Sequence, residues 1–395
     1  MKLGEVCENV SKVRNSELEN VILIQSKDLL AGTVTNHTYV PNKNLMGHFK
    51  KLFQRGDILY SRARPENRRF AFVDFDASHY VASEAIMVIR ANERVLPEFL
   101  FMVLRSDKIV NRLQWLAKLE AGLIPAFTFS ELAALDVRMP SLSDQEKIAS
   151  TLRLFDIKIS NNLKMNHNLM QTAQDVFKSW FVDFEPWDGT PPSEWSEKSI
   201  SDICIKVTDG THNAVKDDPD GAFFLLSCKN VKNGSVVISN NERRINEAAF
   251  QKLRNNTQHA KGDILFCSVG RFGEMALILE DPASFEFQCG VAAIKPNPKY
   301  VSPVYLYMAM LRHKKKMLRL ANGTAQQHIA LRDIRKFSIL LPDFDAMTKF
   351  SEIVEPLLSR ISNNHMGNKT LAATRDTILP QLLSGELSVE DISFD

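Results

Sequence analysis

The chain has 395 residues, of which 44% are hydrophobic and 24% are charged, and its formal net charge is +2. This ordinary globular composition excludes a disordered chain, and the length exceeds the size at which single cores stop growing, so we expect more than one domain. No apolar run is long enough to cross a membrane, and the mixed polarity of the first residues does not fit a signal peptide, so we expect a cytoplasmic protein. The five scattered cysteines form no C-x-x-C pair, which argues against a zinc site.

The small net charge conceals an uneven distribution along the chain. Residues 1–140 carry net +3, residues 141–184 are neutral, residues 185–342 carry net +4 and residues 343–395 carry net −5. Positive charge therefore lies in the two longer segments, as expected if those parts of the chain contact phosphate.

The first segment, residues 1–140, alternates short β-like runs with turns. Strands are predicted at 58–60, 70–73 and 85–89, and a helix is predicted from Pro97 to about Leu119. This α+β pattern leaves four arginines on the loop between the first two of these strands. Arginine suits forked hydrogen bonds to phosphate or guanine, so the loop is a candidate nucleic-acid contact, with a solvated loop of scattered ion pairs as the equally open alternative. The four residues are Arg62, Arg64, Arg68 and Arg69.

A long helix is predicted next, from Ser143 to Asp183. Ser143 and Glu146 have the spacing of a capping box, and Pro140 ends the element before it. The core-facing positions that follow alternate in steps of four and three, which is the period of a coiled-coil seam. Two asparagines interrupt this seam and favour one register, because only a facing polar group satisfies a buried amide. The seam consists of Ile148, Leu152, Phe155, Ile159, Asn162, Asn166, Leu169, Ala173, Val176 and Trp180.

The second segment, residues 185–342, repeats the order of the first. Residues 56–59, Gly-Asp-Ile-Leu, return unchanged at 262–265, and the Pro-x-aromatic-Leu run at 97–100 returns at 303–306. Both offsets are 206, whereas the Pro140 position returns at Pro342 with an offset of 202. The two segments therefore resemble copies of one framework whose surface loops differ.

Candidate contacts in the second copy lie on different loops. In place of the arginine loop stands the segment 268–274, whose two glycines permit an exposed turn carrying Arg271 and Phe272 outward. An ordinary turn with Phe272 packed inward is the alternative. Lys314 and Lys315 lie on a predicted helix. Two glutamines in a polar loop suit paired hydrogen bonds to adenine, although such loops also contain glutamine for no recognition purpose; they are Gln326 and Gln327.

The seam of the long helix occurs a second time, 202 residues later. Both asparagines recur in place, which two unrelated surface helices would not require. Asp345 replaces Ser143 as the expected N-cap, and Pro356 is expected to kink or delay this helix. We therefore predict two long helices that pair antiparallel, with the asparagines near the middle. The second seam consists of Phe350, Val354, Leu357, Ile361, Asn364, Asn368, Leu371, Arg375, Ile378 and Leu382.

The whole chain resembles the specificity subunits of type I restriction-modification enzymes. The resemblance lies in the order of the segments and in the stretches 140–149, 177–186 and 375–387, which are similar to that family's conserved regions. It implies an α+β fold with two target-recognition domains, at 1–140 and 185–342. Two conserved helices, at 141–184 and 343–395, would separate them and form an antiparallel coiled coil with an internal pseudo-two-fold repeat.

The resemblance further implies a non-catalytic subunit with no cofactor of its own. Each domain would read one half of a bipartite double-stranded DNA site, while the helices set the spacer and dock two methyltransferase subunits. Two translocase-nuclease subunits would join them in the full complex, and S-adenosylmethionine, ATP and magnesium would serve those partners. Two other interpretations stay open, which are the same scaffold in a methylation-only assembly and a stand-alone enzyme.

Motifs absent from the sequence agree with a non-catalytic subunit. The chain contains no Asn-Pro-Pro-aromatic motif for adenine methylation and no phosphate-binding G-x-x-x-x-G-K-[ST] loop. Asp156 and Lys158 have the D-x-K spacing of nucleases, but no acidic residue stands upstream at a suitable distance. We therefore expect both to be solvated side chains of the first long helix.

Overall fold

The computed structural model describes residues 1–12, 18–30, 32–43, 48–119, 125–239, 242–282, 284–321, 328–389 and 392. The chain divides into two compact units. Unit 1 contains residues 1–160 and 368–395, and unit 2 contains residues 161–367. No helix among the described residues is both long enough and apolar enough to cross a membrane.

Unit 1 opens with short strands, followed by helices. The strands are β1 (Cys7–Asn9), β2 (Asn20–Ile24), β3 (Leu29–Leu30), β4 (Thr33–Val34), β5 (Tyr39–Pro41), β6 (Phe49–Leu52), β7 (Ile58–Ser61), β8 (Phe70–Phe72), β9 (Tyr80–Ser83) and β10 (Ile86–Ala91). The helices are α1 (Pro97–Arg105), α2 (Asp107–Leu119), α3 (Phe129–Ala133) and the long helix α4 (Leu142–Phe181), which continues into unit 2.

Unit 2 contains the remaining elements. Its strands are β11 (Ser196–Ser199), β12 (Cys204–Asp209), β13 (Phe223–Leu226), β14 (Val231–Lys232), β15 (Ser235–Val236), β16 (Arg244–Ile245), β17 (Ile264–Cys267), β18 (Met275–Leu277), β19 (Phe285–Phe287), β20 (Val291–Pro296) and β21 (Ser338–Leu341). Its helices are α5 (Ile200–Ile203), α6 (Glu247–Thr257), α7 (Pro303–Leu318), α8 (Leu331–Lys336) and α9 (Phe344–Ser384), whose last part belongs to unit 1.

The same sheet is built in both units, so the predicted repeat is confirmed. In unit 1 the order is β1-β10-β7-β8 and in unit 2 it is β12-β20-β17-β18, with every pair antiparallel. A second sheet in each unit contains a parallel pair, which is β2 with β9 in unit 1 and β13 with β19 in unit 2. The units differ at the outer edge, where β6 extends the β2 sheet of unit 1, whereas helix α6 packs against β19 in unit 2.

The repeated Gly-Asp turn has the same structural role in each copy. Gly56 and Gly262 have φ of +89° and +90°, a conformation that residues with a Cβ rarely adopt. The following aspartates are buried and bind a cation on the neighbouring strand. Asp57 accepts two hydrogen bonds from Arg90, at 2.7 and 2.8 Å, and Asp263 pairs with Lys295.

The helix predicted from Pro97 to about Leu119 is two helices, which corrects the prediction. Ser106 separates α1 from α2 with a ψ of 148°, which is extended backbone. Its hydroxyl donates to the carbonyl of Val103 at 2.7 Å, and this local bond competes with helix continuation.

The long helices pair antiparallel within each unit, as predicted. In unit 2 the ring of Phe350, near the start of α9, lies 5.1 Å from that of Phe181, near the end of α4. Further along α9, the side chain of Asn364 donates to the side chain of Asn166 at 2.7 Å, so rising numbers on one helix meet falling numbers on the other. In unit 1, Arg375 of α9 binds Asp156 of α4 at 2.6 Å.

The caps of the long helices lie two residues earlier than expected. Helix α4 begins at Leu142, and Ser141 rather than Ser143 accepts the capping bond, from the backbone N–H of Asp144 at 3.2 Å. Helix α9 begins at Phe344, and its cap is Asp343 rather than Asp345, bound by the N–H of Ala346 at 2.9 Å. The two caps keep the 202-residue offset, because the equivalent side chains perform the same task.

Pro356 neither delays nor divides α9, which runs from Phe344 to Ser384. The proline lies on an exposed face of the helix, so water reaches the carbonyl that loses its backbone donor. Packing of the opposite face, where Val354 and Leu358 are buried, holds the helix together.

The predicted seam is buried or half-buried throughout, and at four places the neighbouring position is the more deeply buried one. Phe177 and Phe181 are buried beside the half-buried Val176 and Trp180. Helix α9 behaves alike, with buried Leu358 and Leu379 beside half-buried Leu357 and Ile378. A straight α-helix drifts against a 3.5-residue repeat, and at the ends it must also cover the globular core. The other seam positions are buried (Ile148, Leu152, Phe155, Asn162, Asn166, Ala173, Phe350, Val354, Ile361, Asn364, Leu382) or half-buried (Ile159, Leu169, Asn368, Leu371, Arg375).

Candidate nucleic-acid interface

The loop with four arginines leaves one edge of the main sheet of unit 1. It connects the end of β7 to the start of β8 and is fixed on both sides by backbone hydrogen bonds. The N–H of Arg62 donates to the carbonyl of Ala85 at 3.1 Å, and the N–H of Arg64 donates to that of Pro125 at 2.9 Å. The backbone of the loop is therefore held by the scaffold, which suits a positioned contact.

Two residues of this loop adopt a left-handed backbone. Arg64 and Arg68 both have φ of +49° and enclose a single 3-10 turn at 65–67. Such a conformation costs a non-glycine residue about 1 kcal/mol or more and persists only where neighbours enforce it. Here Pro65 is buried, and the N–H of Glu66 donates to the side chain of Gln114 at 3.1 Å.

The four arginines divide into two pairs with different surroundings. Arg68 donates to the carbonyl of Arg105 at 3.2 Å and pairs with Asp107, while Arg69 donates to the carbonyls of Lys27 and Leu29, each at 3.2 Å. Arg68 and Arg69 are therefore engaged within the unit.

Arg62 and Arg64, by contrast, are exposed, and their side chains bind no described residue. These two guanidinium groups keep their hydrogen-bonding capacity for an external phosphate or base. Of the four predicted DNA contacts, Arg62 and Arg64 are thus the two whose side chains bind no described residue.

Two lysines that the sequence analysis did not single out lie beside this loop. Lys51 of β6 donates to the carbonyl of Ile86 at 2.7 Å, and Lys50 pairs with Glu84 at 3.0 Å. Burial, followed by the nearby Arg62 guanidinium, lowers the pKa of the Lys51 ammonium. The adjacent pair of basic residues before the Gly-Asp turn was the signal that could have found them. We call Lys50, Lys51, Arg62 and Arg64 the basic edge of unit 1.

Unit 2 presents a loop at the same edge of its sheet. The N–H of Ser268 donates to the carbonyl of Gly290 at 2.8 Å, repeating the bond that Arg62 makes in unit 1. Arg271 is exposed, and its side chain binds no described residue. Phe272, by contrast, is half-buried against the core of unit 2, so of the two open alternatives the structure shows the turn with Phe272 packed inward. A Cβ on Gly273 would come within 2.5 Å of Leu318, so the loop is pressed against helix α7.

A second group at this edge is Asp209 with His212, which the sequence analysis missed. Asp209 accepts from the N–H of Gly290 at 3.0 Å, and its other carboxylate oxygen lies 3.2 Å from Nε2 of His212. Burial raises the pKa of the Asp209 carboxyl. A Cβ on residue 210 would lie 2.3 Å from the carbonyl oxygen of Gln288, so only glycine fits at this position. The imidazole of His212 is 74% exposed, and this contact with the Asp209 carboxylate orients it. The turn sequence Asp-Gly-Thr-His was the available signal.

The other predicted DNA contacts of unit 2 differ in whether their side chains are already bound within the unit. Lys314 pairs with Glu274 at 3.1 Å, so its charge is partly neutralised within the unit. Lys315 is exposed. Gln326 and Gln327 lie outside the described residues.

Two of the four seam asparagines, Asn166 and Asn364, are brought together by the antiparallel helices. Asn166 and Asn364 are buried, with 7% and 6% of their surfaces exposed, and share the 2.7 Å hydrogen bond described above. The side-chain amide of Asn166 also donates to the carbonyl of Ile361 at 3.3 Å. The side-chain NH2 group of each of these two asparagines thus has an acceptor on the facing helix, and shifting either helix along the other would break these bonds.

The charged seam position Arg375 is explained by its neighbours in unit 1. Asp156 accepts from Arg375 at 2.6 Å and from Arg105 at 2.7 Å, and Asp376 binds Arg375 at 2.7 Å. These ion pairs raise the pKa of Arg375 against the effect of its burial. Asp156 is therefore a structural carboxylate between two arginines, which corrects the expectation that it is merely solvated. Lys158 is exposed.

The described residues form no cluster of side chains suited to hold a metal ion. Groups of three or more potential metal ligands do not occur in that part of the chain. The features that stand out are instead the exposed arginines at equivalent sheet edges and the paired asparagines between the long helices.

Comparison with known proteins gives a consistent result over nearly the whole chain. The model of the type I restriction modification DNA specificity domain matches twice, at residues 1–168 and 192–371. The specificity subunit of the type I restriction enzyme HindI from Haemophilus influenzae is 27% identical, and the similarity covers 98% of each chain. The MjaIX specificity subunit from Methanocaldococcus jannaschii is 25% identical over 87% of this chain and 80% of that protein.

A solved structure is similar in fold. The S subunit of a type I restriction-modification system from M. genitalium has a TM-score of 0.53 at 15% identity and covers 97% of this chain and 95% of that one. Family membership also confirms the expectation of a specificity subunit rather than an enzyme. With two matched domains that together span most of its length, the chain belongs to the family of type I restriction-modification DNA specificity subunits.

Proposed function

We propose that each unit of this specificity subunit reads one half of a bipartite double-stranded DNA site. The observation that carries the proposal is the repetition of one sheet with an exposed arginine at the same edge, Arg62 in unit 1 and Arg271 in unit 2, whose side chain binds no described residue. Equivalent scaffolds with different loops suit two different half-sites, because the scaffold positions the contact and the loop chooses the base.

The side chains available for DNA contact differ between the units, so the two units should recognise different bases. Unit 1 offers the basic edge, whose arginines can form paired hydrogen bonds to guanine O6 and N7 or to phosphate. Unit 2 offers Arg271 together with His212, whose imidazole is oriented by Asp209. Lys315, Gln326 and Gln327 remain candidate contacts in this unit.

We propose a separate role for α4 and α9, which is to set the spacer between the half-sites and to dock two methyltransferase subunits. Both helices run without interruption through parts of both units, and the paired asparagines favour one register. S-adenosylmethionine, ATP and magnesium would be bound by the methyltransferase and by two translocase-nuclease subunits, and not by this chain.

Methylome sequencing of a strain carrying a chimeric gene tests the proposal. In the chimera, residues 1–140 are replaced by the corresponding segment of a relative that methylates a different motif. One half of the methylated motif should change while the other half and the spacer remain. The unmodified gene, expressed from the same vector, is the control. A motif that changes in both halves, or is not divided into two halves, would contradict the proposal.

A further inference from the structure

The turn that follows β12 carries His212 and is tied to β19 and to the residue before β20. The backbone N–H of Thr211 donates to the carbonyl of Phe287 at 3.0 Å. The Oδ1 atom of Asp209 accepts from the backbone N–H of Gly290 at 3.0 Å. The other carboxylate oxygen, Oδ2, therefore faces His212 from a fixed position.

The contact between Asp209 and His212 decides what the outward nitrogen of the ring can do. A carboxylate only accepts hydrogen bonds, so the Nε2 atom that lies 3.2 Å from Oδ2 carries a hydrogen. In the neutral ring Nδ1 is then an acceptor, whereas in the imidazolium ion it is a second donor. Nδ1 binds no described residue. Protonation of the ring thus changes this exposed atom from an acceptor into a donor.

A half-buried carboxylate lies behind the exposed ring and attracts its charged form. Among the described residues, Asp209 is the ionisable group that contacts the imidazole, and opposite charges at this distance attract each other. The thiols nearby are bound elsewhere, since Cys228 donates to the carbonyl of Gly290 at 2.9 Å and Cys267 donates to the carbonyl of Cys228 at 3.6 Å. Neither thiol therefore takes the oxygen that faces His212.

The loop that carries Arg271 is anchored at the same residue, Gly290. The carbonyl of Gly290 accepts from the N–H and from the hydroxyl of Ser268, at 2.8 and 3.0 Å. Arg271 is exposed, whereas Glu274 of this loop is paired with a lysine of α7. Two loops anchored at one residue thus present two side chains that can donate to an anion, Arg271 and protonated His212.

We propose that His212 binds a phosphate of the unit 2 half-site only as the imidazolium ion, with Asp209 as the residue that positions it. The inference rests on the proposed function and adds to it a contact that depends on pH. A phosphate oxygen is a negatively charged acceptor, so it is attracted by protonated Nδ1 and repelled by the lone pair of the neutral ring.

The sign of the pH dependence follows from this chemistry. Because the phosphate binds only the protonated ring, binding of DNA takes up a proton. Histidine changes its charge between about pH 5 and pH 8. The affinity for DNA should therefore be highest at the acidic end of this range and should fall as the pH rises through it.

The test uses the full chain assembled with the methyltransferase subunit of the same restriction system and a fluorescent DNA duplex that carries the methylated motif. Fluorescence anisotropy gives the dissociation constant from about pH 5.5 to about pH 8.5, at several salt concentrations. His212→Asn removes the titrating ring, and His167→Asn, which removes an exposed histidine from α4, is the matched control. Thermal unfolding reports whether each variant is folded.

Two further variants separate the charge of the ring from its position. Asp209→Asn keeps the oxygen that binds Gly290 and places an amide NH2 group opposite Nε2, which favours a neutral ring. His212→Lys supplies a cation at every pH of the series.

Between about pH 6 and pH 8, the affinity of the wild-type and His167→Asn complexes should fall by about three- to tenfold more than that of His212→Asn. Over the same range their slope of log K against log salt should become shallower by up to about 0.9, because one phosphate is no longer neutralised. Asp209→Asn and His212→Lys should lose most of this pH dependence, which a merely structural role would not change.

Parallel pH profiles for the wild type and for folded His212→Asn would overturn the proposed contact but leave the proposed function intact. An affinity that rises with pH in the wild type but not in His212→Asn would also overturn it, because Nδ1 would then be acting as an acceptor. A wild-type complex that binds DNA without the motif as tightly as DNA with it would instead contradict the proposed function.

Discussion

At the scale of single residues, the surroundings of the four loop arginines separate two roles that one sequence motif combines. Arg68 and Arg69 bind carbonyl and carboxylate groups of their own unit, while Arg62 and Arg64 are exposed and bind no described residue through their side chains. The first pair holds the loop within its unit, and the second pair is the one that we propose contacts DNA.

Replacing both Arg62 and Arg64 with alanine should therefore weaken DNA binding by the assembled complex. The slope of log K against log salt should fall by about one unit for each phosphate that the variant no longer neutralises, because fewer counterions are released. Arg271→Ala should have the corresponding effect through unit 2. Binding titrations at several salt concentrations measure this slope.

Two controls separate DNA binding from structural support. Arg153→Ala removes an exposed charge from α4 and should leave the slope unchanged. Arg68→Ala should lower the melting temperature, because Asp107 and the carbonyl of Arg105 lose their donor. An unchanged slope for both the Arg62/Arg64 and the Arg271 variants would mean that these arginines do not bind phosphate.

Asp156 is a second residue whose role depends on its neighbours. Its carboxylate lies between Arg105 and Arg375, which are 8% and 16% exposed. Asp156→Asn should lower the free energy of unfolding by about 2–3 kcal/mol, because two poorly solvated cations lose their shared counterion. Denaturant unfolding monitored by circular dichroism measures the change, with Asp175→Asn on the exposed face of the same helix as the control. Equal midpoints for the two variants would contradict a structural role for Asp156.

At the scale of elements, the coiled coil combines apolar packing with one buried amide pair. Asn166→Leu alone should destabilise the chain by about 1–3 kcal/mol, because the amide of Asn364 is left buried without its partner. Asn166→Leu together with Asn364→Leu should recover most of that stability, since both polar groups are then removed. Chemical denaturation of the two single variants and the double variant gives the coupling free energy. If the two destabilisations simply added, the hydrogen bond between these residues would have no energetic role.

At the scale of the whole molecule, the proposed spacer function makes the length of α4 and α9 measurable in base pairs. Four residues inserted after Ser160 in α4 and four after Gly367 in α9 lengthen each helix at the division between the units. Four residues add about 6 Å and about 40° of rotation. Since DNA rises about 3.4 Å per base pair, the preferred spacer should lengthen by one or two base pairs.

Both half-sites should remain unchanged by this insertion, because the sheet edges are not altered. Methylome sequencing of cells carrying the variant reads spacer and half-sites together. Four residues inserted after Thr190, on an exposed turn outside both helices, form the control and should leave the spacer as it was. A complex that stays active with its original spacer after the helix insertions would show that the helices do not set it.

The sequence alone determined the repeat, the two long helices and their antiparallel seam. These features follow from periodicity, because a seam in steps of four and three with asparagines at a constant offset has few other physical explanations. The strands that follow the Gly-Asp turns were also predictable, since a glycine turn and a short apolar run are local signals.

Only the tertiary structure decided which polar side chains remain available to a partner. Arg62 and Arg68 belong to the same motif, yet one is exposed and the other bound, because Asp107 and the carbonyl of Arg105 are brought to the loop by a distant part of the chain. Ser141 and Ser143 are both serines at the start of α4, yet only Ser141 is the cap. Its hydroxyl is the one that meets a free backbone N–H where the helix begins. Periodicity records which face of an element is buried, but hydrogen-bond partners far along the chain are fixed only when the chain folds.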